Sequence, residues 1–171
     1  PELQDTLRRH IRERSIPSGQ WVVGYGYDDA QLAERRHPNR DDLDAVSTEH
    51  PIFLLHASGH LSAGNSRLLA AQGILANTVD PPGGVIRRRQ GSREPDGVLE
   101  ETASMQVYLA VPVPTRQQAL DGLAAALAAC ASHGLTTVQE GGALPESVAL
   151  LEDANARGLL KVDVVAYRYW N

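Results

Sequence analysis

The last third of the chain repeats one pattern, in which a helix ends at a glycine and an apolar strand follows. Thr115 and Gln118 have the spacing of a capping box, and Gly134 and Gly158 stand just beyond two helical segments. The runs LTTVQE and LLKVDVVAYRYW come next and are rich in β-branched and apolar residues. The order helix–strand–helix–strand predicts a right-handed βαβ unit of a parallel sheet.

Two parallel strands create a packing problem, because a sheet of two strands cannot bury its own faces. The second strand also runs to the last residues of the sequence, with no helix after it to cover the sheet. We therefore expect the chain to be a piece of a larger α/β domain. The alternative is a small complete α+β domain whose further strands come from residues 20–60 and 84–98.

The first two-thirds of the chain predict short helices and strands around polar segments. Leu3, Leu7 and Ile11 recur at helical spacing, so residues 2–14 predict an amphipathic helix. The run PIFLLHAS predicts a strand whose continuous apolar side chains indicate burial on both faces. Four further elements are predicted: a strand in WVVGYGYDD, a helix over SAGNSRLLAAQGI, a strand in GVIRR and a helix over VLEETASMQVYLA.

Composition excludes several classes of partner and site. The 171 residues carry a net charge of −5, which gives no electrostatic footprint for nucleic acid or an anionic membrane. The single cysteine, Cys130, permits neither an internal disulfide nor a cysteine metal cluster. No apolar stretch could cross a bilayer and no signal-peptide core is visible, so a cytoplasmic location is expected. The basic run at residues 87–89 predicts a solvated turn, with phosphate binding as the alternative.

Two histidines, His56 and His60, lie four residues apart and raise the question of a metal site. On one helix face that spacing could bind zinc, but here the pair straddles a predicted strand end. The residues alone favour structural histidines, with side chains in a ligand crevice as the alternative. Glu100 and Glu101 are predicted to open a helix, and Glu140 to end a parallel strand, where barrel enzymes place working groups.

Five sequence elements, taken in order, resemble the long-chain amidohydrolases of the amidohydrolase 3 branch. That pattern consists of G-x-G-[WY]-D, GHxxxxNSxxL, DPPGGxI, GxLxE and G[IL]TT[VS]; the matching runs here are GYGYD, GHLSAGNSRLL, DPPGGVI, GVLEE and GLTTV. Each element is weak alone, whereas the combination over roughly residues 20–142 is specific. The motifs of P-loop proteins, zinc proteases and serine hydrolases are absent from the sequence.

The resemblance implies a metal-dependent hydrolase on a (β/α)8 barrel, of which this chain is an internal α/β piece. Residues 115–171 would be βα units of the partial barrel, with strand 2 at Leu135–Gln139 and strand 3 at Leu160–Tyr167. Residues 1–114 would be a helix and an inserted α+β lid that shapes the substrate pocket. The family's metal ligands lie outside this segment, so no metal ligand, catalytic residue or cofactor is expected within it. A divalent metal, zinc by resemblance, is expected in the full-length parent.

The resemblance also implies which residues contact the substrate. They are His60 and Asn65 of the GHxxxxNS element, Glu101 and Asp28, with Glu140 and His56 as further candidates. We expect the parent to hydrolyse the C–N bond of a small amide-type substrate, and this piece alone to be inactive and to form homo-oligomers through exposed strand edges. Two other classes stay open: a non-catalytic binding or regulatory module, and a small enzyme that holds a metal at His56, His60 and Glu101.

Overall fold

The computed structural model describes residues 2–169, which divide into two compact units. Unit 1 comprises residues 2–112 and unit 2 comprises residues 113–169. Both units mix helices with strands, in agreement with the α/β class that the sequence predicts. None of the described helices combines the length and the apolarity needed to cross a bilayer.

Unit 1 is built on a five-stranded mixed sheet. Its elements are α1 (Glu2–Glu13), β1 (Val22–Tyr27), α2 (Arg40–Asp44), β2 (Ile52–His56), β3 (Leu61–Gly64), α3 (Ser66–Ala71), β4 (Gly84–Arg88), β5 (Pro95–Glu101) and α4 (Thr102–Tyr108). The strand order is β1-β2-β3-β5-β4. β1 and β2 pair in parallel, and the other neighbouring strands pair antiparallel.

The central strand β2 is buried on both faces of this sheet, as its continuous apolar run predicts. Ile52 and Leu54 belong to a cluster on one face, which also contains Leu7 of α1 and Leu43 of α2. Phe53 points to the opposite face and belongs to a second cluster with residues of α3, β4, β5 and α4. The predicted helix over residues 2–14 is confirmed by α1, which covers Glu2–Glu13.

Two predicted helices begin later than the sequence pattern indicated, because strands occupy their first residues. Ser62 and Ala63 pair with Leu99 and Val98 across the β3–β5 ladder, and the helix starts only at Ser66. Residues 98–101 are the end of β5, and α4 starts at Thr102. Glu100 and Glu101 therefore close a strand instead of opening the helix, although Glu101 is also the N-cap residue of α4.

Asn65 is the cap that separates β3 from α3, and its side chain is completely buried. Its Oδ1 accepts from the backbone N–H groups of Ile52 at 3.0 Å and Leu68 at 2.9 Å. Its Nδ2 donates to the carbonyl oxygens of Ser47 at 2.8 Å and His50 at 2.9 Å. One amide thus joins three segments of the chain and satisfies buried backbone groups in each.

Unit 2 contains the helix–strand repeat that the sequence predicts. Its elements are α5 (Arg116–Ser132), β6 (Thr137–Ala143), α6 (Pro145–Ala156) and β7 (Asp163–Arg168). The capping box of Thr115 and Gln118 is formed, and both predicted cap glycines have a positive φ, +79° at Gly134 and +66° at Gly158. β6 and β7 pair in parallel as a separate two-stranded sheet, while the strands within residues 20–60 and 84–98 belong to the sheet of unit 1. The end of the predicted second strand, at Trp170, lies outside the described residues.

Much apolar surface of unit 2 faces solvent. Val165 and Tyr167 of β7 are 43% and 52% exposed, and Leu135 just before β6 is 49% exposed. The strands also differ from their predicted bounds, since β6 continues to Ala143. Glu140 consequently lies within β6, opposite Ala166, and the predicted strand end at this residue was wrong.

Replacing Asn65 with alanine is expected to lower the free energy of unfolding by about 2 to 4 kcal/mol, because buried backbone groups lose their partners. Urea denaturation followed by circular dichroism measures the loss. Asn39→Ala is the matched control, since Asn39 caps α2 by accepting from two backbone N–H groups at a partly exposed position. That control should lose about 1 kcal/mol. Equal losses in the two variants would show that the extra buried bonds of Asn65 contribute nothing.

Candidate functional site

The parallel pairing of β1 and β2 brings polar side chains together where both strands end. Tyr27 and His56 are partners in this ladder, and Asp29 follows two residues after Tyr27. His56 Nε2 lies 3.1 Å from Asp29 Oδ1, and the Tyr27 hydroxyl lies 3.1 Å from His37 Nδ1. The three rings of Tyr27, His37 and His56 contact one another edge to face, with centroids 5.1–5.9 Å apart. We call these four residues the Asp29 cluster.

The hydrogen bonds of His56 fix which ring nitrogen carries its proton. The backbone N–H of Ser58 donates to His56 Nδ1 at 3.0 Å, and a backbone N–H can only donate. Nδ1 of the neutral ring is therefore the acceptor, and Nε2 carries the hydrogen. Nε2 donates this hydrogen to Asp29, so both nitrogens of His56 are used within the fold.

Burial favours the neutral forms of two members of the Asp29 cluster, His37 and Tyr27. Burial lowers the pKa of His37 below its ordinary 6.5, and this effect outweighs the opposing attraction of Asp29. Burial and the nearby charge of Asp29 raise the pKa of the Tyr27 hydroxyl well above its ordinary range. The protonated hydroxyl of Tyr27 can thus donate to the unprotonated Nδ1 of His37. Arg87 and Glu100, which form an ion pair with each other, also act on His37.

Asp28, Asp29 and His56 are close enough to suggest a metal site, since one ligand atom of each lies within 4.8 Å of the others. The chemistry of this donor set does not fit a metal ion. A histidine ligand binds through an unprotonated nitrogen, whereas His56 has a hydrogen on Nε2 and uses Nδ1 as an acceptor. The carboxylate of Asp28 also accepts hydrogen bonds from its own loop. Gln31 and the backbone N–H of Ala30 donate to its carboxylate, which holds the pKa of Asp28 below its ordinary value.

His60 and Glu101 form a second polar site on unit 1. His60 Nδ1 lies 2.9 Å from Glu101 Oε2, although the residues are 41 positions apart in sequence. Both side chains are largely exposed, at 65% for His60 and 58% for Glu101. The backbones are joined as well, because the N–H of Glu101 donates to the carbonyl oxygen of His60 at 2.8 Å. The backbones of the pair are therefore held together, and both side chains are open to a ligand.

Within unit 1, the structure separates five of the predicted site residues instead of collecting them in one pocket. Asp28 and His56 lie at or beside the Asp29 cluster, and His60 and Glu101 form the exposed pair. Asn65 is buried, with its amide fully bonded to the backbone. Glu140 belongs to unit 2, is exposed and accepts from the backbone N–H of Gly142 at 3.2 Å. A substrate-binding role for each of them stays a prediction.

Two members of the Asp29 cluster were missed by reasoning from the sequence. Asp29 had a signal, because paired aspartates after a strand often lie at the edge where parallel strands end. His37 had none, since it lies in a polar stretch 10 residues from its partner Tyr27. The basic run behaves as an ordinary polar surface. Each of its arginines pairs with a carboxylate, those of Glu100, Asp80 and Asp41 in chain order from residue 87 to 89.

Comparison with known proteins gives this geometry a family context. The model of the amidohydrolase family matches residues 1–169. The Bacillus subtilis protein named amidohydrolase YtcJ is 35% identical over 125 residues, which are 73% of this chain and 23% of that protein. N-substituted formamide deformylase of Arthrobacter pascens is 39% identical over 109 residues, 64% of this chain and 20% of that enzyme.

A solved structure shows that the resemblance extends to the fold. The crystal structure of an uncharacterized metal-dependent hydrolase from Pyrococcus horikoshii OT3 superimposes with a TM-score of 0.59 and 21% identity. The match covers 98% of this chain and 30% of the hydrolase. The chain likewise spans about a fifth to a third of the length of its curated relatives. Because the family model matches nearly every residue, the chain belongs to the amidohydrolase family.

Proposed function

We propose that this chain is part of a longer metal-dependent amidohydrolase that hydrolyses the C–N bond of a small amide-type substrate. The observation that carries the proposal is the family match over residues 1–169. The formamide deformylase supports the bond type, because its name describes cleavage of an N-substituted formamide. A location in the cytoplasm is part of the same proposal.

In the proposed enzyme, β6 and β7 are strands 2 and 3 of a (β/α)8 barrel. Their parallel pairing and the helix between them are what such a barrel requires. Their exposed apolar side chains would be covered by neighbouring strands and helices of the longer chain. Unit 1 is the inserted segment that shapes and closes the substrate pocket, and such closure excludes water from the reaction.

The metal of this enzyme, zinc in our proposal, would be bound by residues outside this chain. When bound, such an ion polarises a carbonyl and makes hydroxide available from water. The residues of this chain have roles other than binding the metal. His60 and Glu101 present polar groups toward the substrate, and the Asp29 cluster holds the loop after β1 against the end of β2.

Treating the complete protein with a chelator should abolish hydrolysis of a panel of formamides, amides and cyclic ureas, and zinc should restore it. The 171-residue chain alone should hydrolyse none of them and should contain no stoichiometric metal by elemental analysis. Activity and a bound metal in the isolated chain would support the small self-contained enzyme instead. A complete protein with no hydrolysis under any metal condition would indicate a binding or regulatory module.

The isolated chain should self-associate through β6 and β7, because the two strands have unpaired outer edges and apolar side chains such as Val165 and Tyr167 are exposed. Analytical ultracentrifugation over a range of concentrations measures this. Tyr167→Lys should shift the chain toward monomer. Tyr25→Lys is the control, since Tyr25 is 64% exposed but lies in unit 1. A strictly monomeric chain would count against the barrel assignment of these strands.

The stability of the isolated chain should fall as the pH drops below about 6.5, because His37 has a lowered pKa in the fold. Near pH 6 the unfolded chain then binds more protons at this residue than the folded chain does. The contribution is complete above pH 6.5 and is lost through the pKa of the folded state. In His37→Gln this part of the pH dependence should disappear from urea denaturation curves. His10→Gln, at an exposed position, should retain it. Identical pH profiles for His37→Gln and the unmodified chain would contradict the prediction.

A further inference from the structure

Glu101 has a backbone conformation that glycine normally supplies. Its φ is +51° and its ψ is −120°, at the junction where β5 passes directly into α4. Nine glycines of the chain also have positive φ, and only two other described non-glycine residues do, Ser15 and Arg35. A side chain in this region of backbone space is strained, and such strain persists only where the surrounding structure imposes it.

The segments on either side of Glu101 impose this strained backbone conformation. The N–H of Glu101 donates to the carbonyl oxygen of His60, so the residue just before β3 holds Glu101 from one side. On the other side, Gly84 of β4 pairs with Glu101. A Cβ at Gly84 would lie 2.5 Å from the backbone nitrogen of Ala103, so this strand approaches the turn as closely as a glycine permits. These contacts fix the backbone conformation of Glu101 independently of its side chain.

A sharp strand-to-helix turn with one strained residue lifts that residue's side chain clear of the sheet. Hydrolases of a different fold use such a turn to expose a nucleophile. Here the turn presents a carboxylate, which is 58% exposed and contacts the ring of His60. A glycine would relieve the strain but would remove this carboxylate. A role for the carboxylate therefore explains why position 101 is a glutamate, whereas the turn alone would favour a glycine.

The contact with Glu101 determines the hydrogen-bonding pattern of His60. An ionised carboxylate only accepts hydrogen bonds, so the neutral ring of His60 donates from Nδ1. Its Nε2 is then an unprotonated acceptor. This is the reverse of His56, four residues earlier, where Nε2 carries the hydrogen. The His60 ring is 65% exposed, so a ligand can reach it.

We propose that Glu101 is a positioning residue that holds His60 in its Nδ1–H tautomer, so that His60 Nε2 accepts a hydrogen bond from the N–H of the substrate. The inference rests on the proposed function and narrows its substrate to amides, formamides or ureas that carry an N–H on the scissile nitrogen. N,N-disubstituted analogues lack that hydrogen and leave Nε2 without a donor. A site built around a substrate hydrogen bond discriminates against such analogues.

The positioning role is tested on the 171-residue chain by ¹⁵N NMR of the histidine rings, at a pH where they are neutral. His60 should be the Nδ1–H tautomer in the unmodified chain and in Glu101→Gln, whose amide oxygen still accepts. In Glu101→Gly it should shift toward the Nε2–H tautomer, while the urea midpoint rises or stays constant because the strain is relieved. An unchanged tautomer in Glu101→Gly would overturn the positioning role.

The substrate assignment is tested on the complete enzyme with an N-monosubstituted formamide and its N,N-disubstituted analogue. The ratio of their kcat/KM values should fall about tenfold in His60→Ala and in Glu101→Gly, and remain near that of the unmodified enzyme in Glu101→Gln. A ratio unaffected by His60→Ala would overturn the substrate assignment. If the unmodified enzyme hydrolyses neither compound, the proposed function fails and the assignment fails with it. The NMR result still decides the role of Glu101.

Discussion

The parallel ladder between β1 and β2 is the constraint on which the rest of unit 1 depends. Parallel neighbours cannot be joined by a short hairpin, so a long connection must leave the end of β1 and return to the start of β2. That connection carries Asp29, His37 and helix α2. It packs Leu43 onto one face of the sheet and leaves the polar groups at the edge where both strands end. The hydrophobic cluster on that face and the Asp29 cluster are therefore consequences of one pairing.

Local sequence patterns predicted the parts of the fold that local interactions determine. The capping box at Thr115 and the cap glycines of α5 and α6 involve residues a few positions apart, and all are formed. The burial of β2 followed from its own composition. The segments around Ser62 and Val98 were predicted as helices because their strand identity arises from pairing with other strands of the sheet. Ser62 pairs with Leu99 across a long stretch of chain, and no short-range pattern records that partnership.

The candidate site was less accessible to sequence reasoning for a related physical reason. The resemblance directed attention to His60 and Glu101, which the fold brings within hydrogen-bonding distance. It could not indicate the backbone strain at Glu101, since that strain comes from His60 and β4 on either side. Nor could spacing alone decide between the two histidines of the HASGH run. Their roles differ because Ser58 donates to one ring and Glu101 accepts from the other.

The strain at Glu101 also has a consequence for how this protein can diverge. A mutation to glycine there relaxes the backbone, so folding alone gives selection no reason to remove it. Selection retains the glutamate only where the function requires its carboxylate. Among descendants of this sequence that have been released from that demand, position 101 should be one of the first to drift, and it should drift toward glycine. The residue at position 101 would then distinguish descendants that retain the ancestral function from those that retain only the fold.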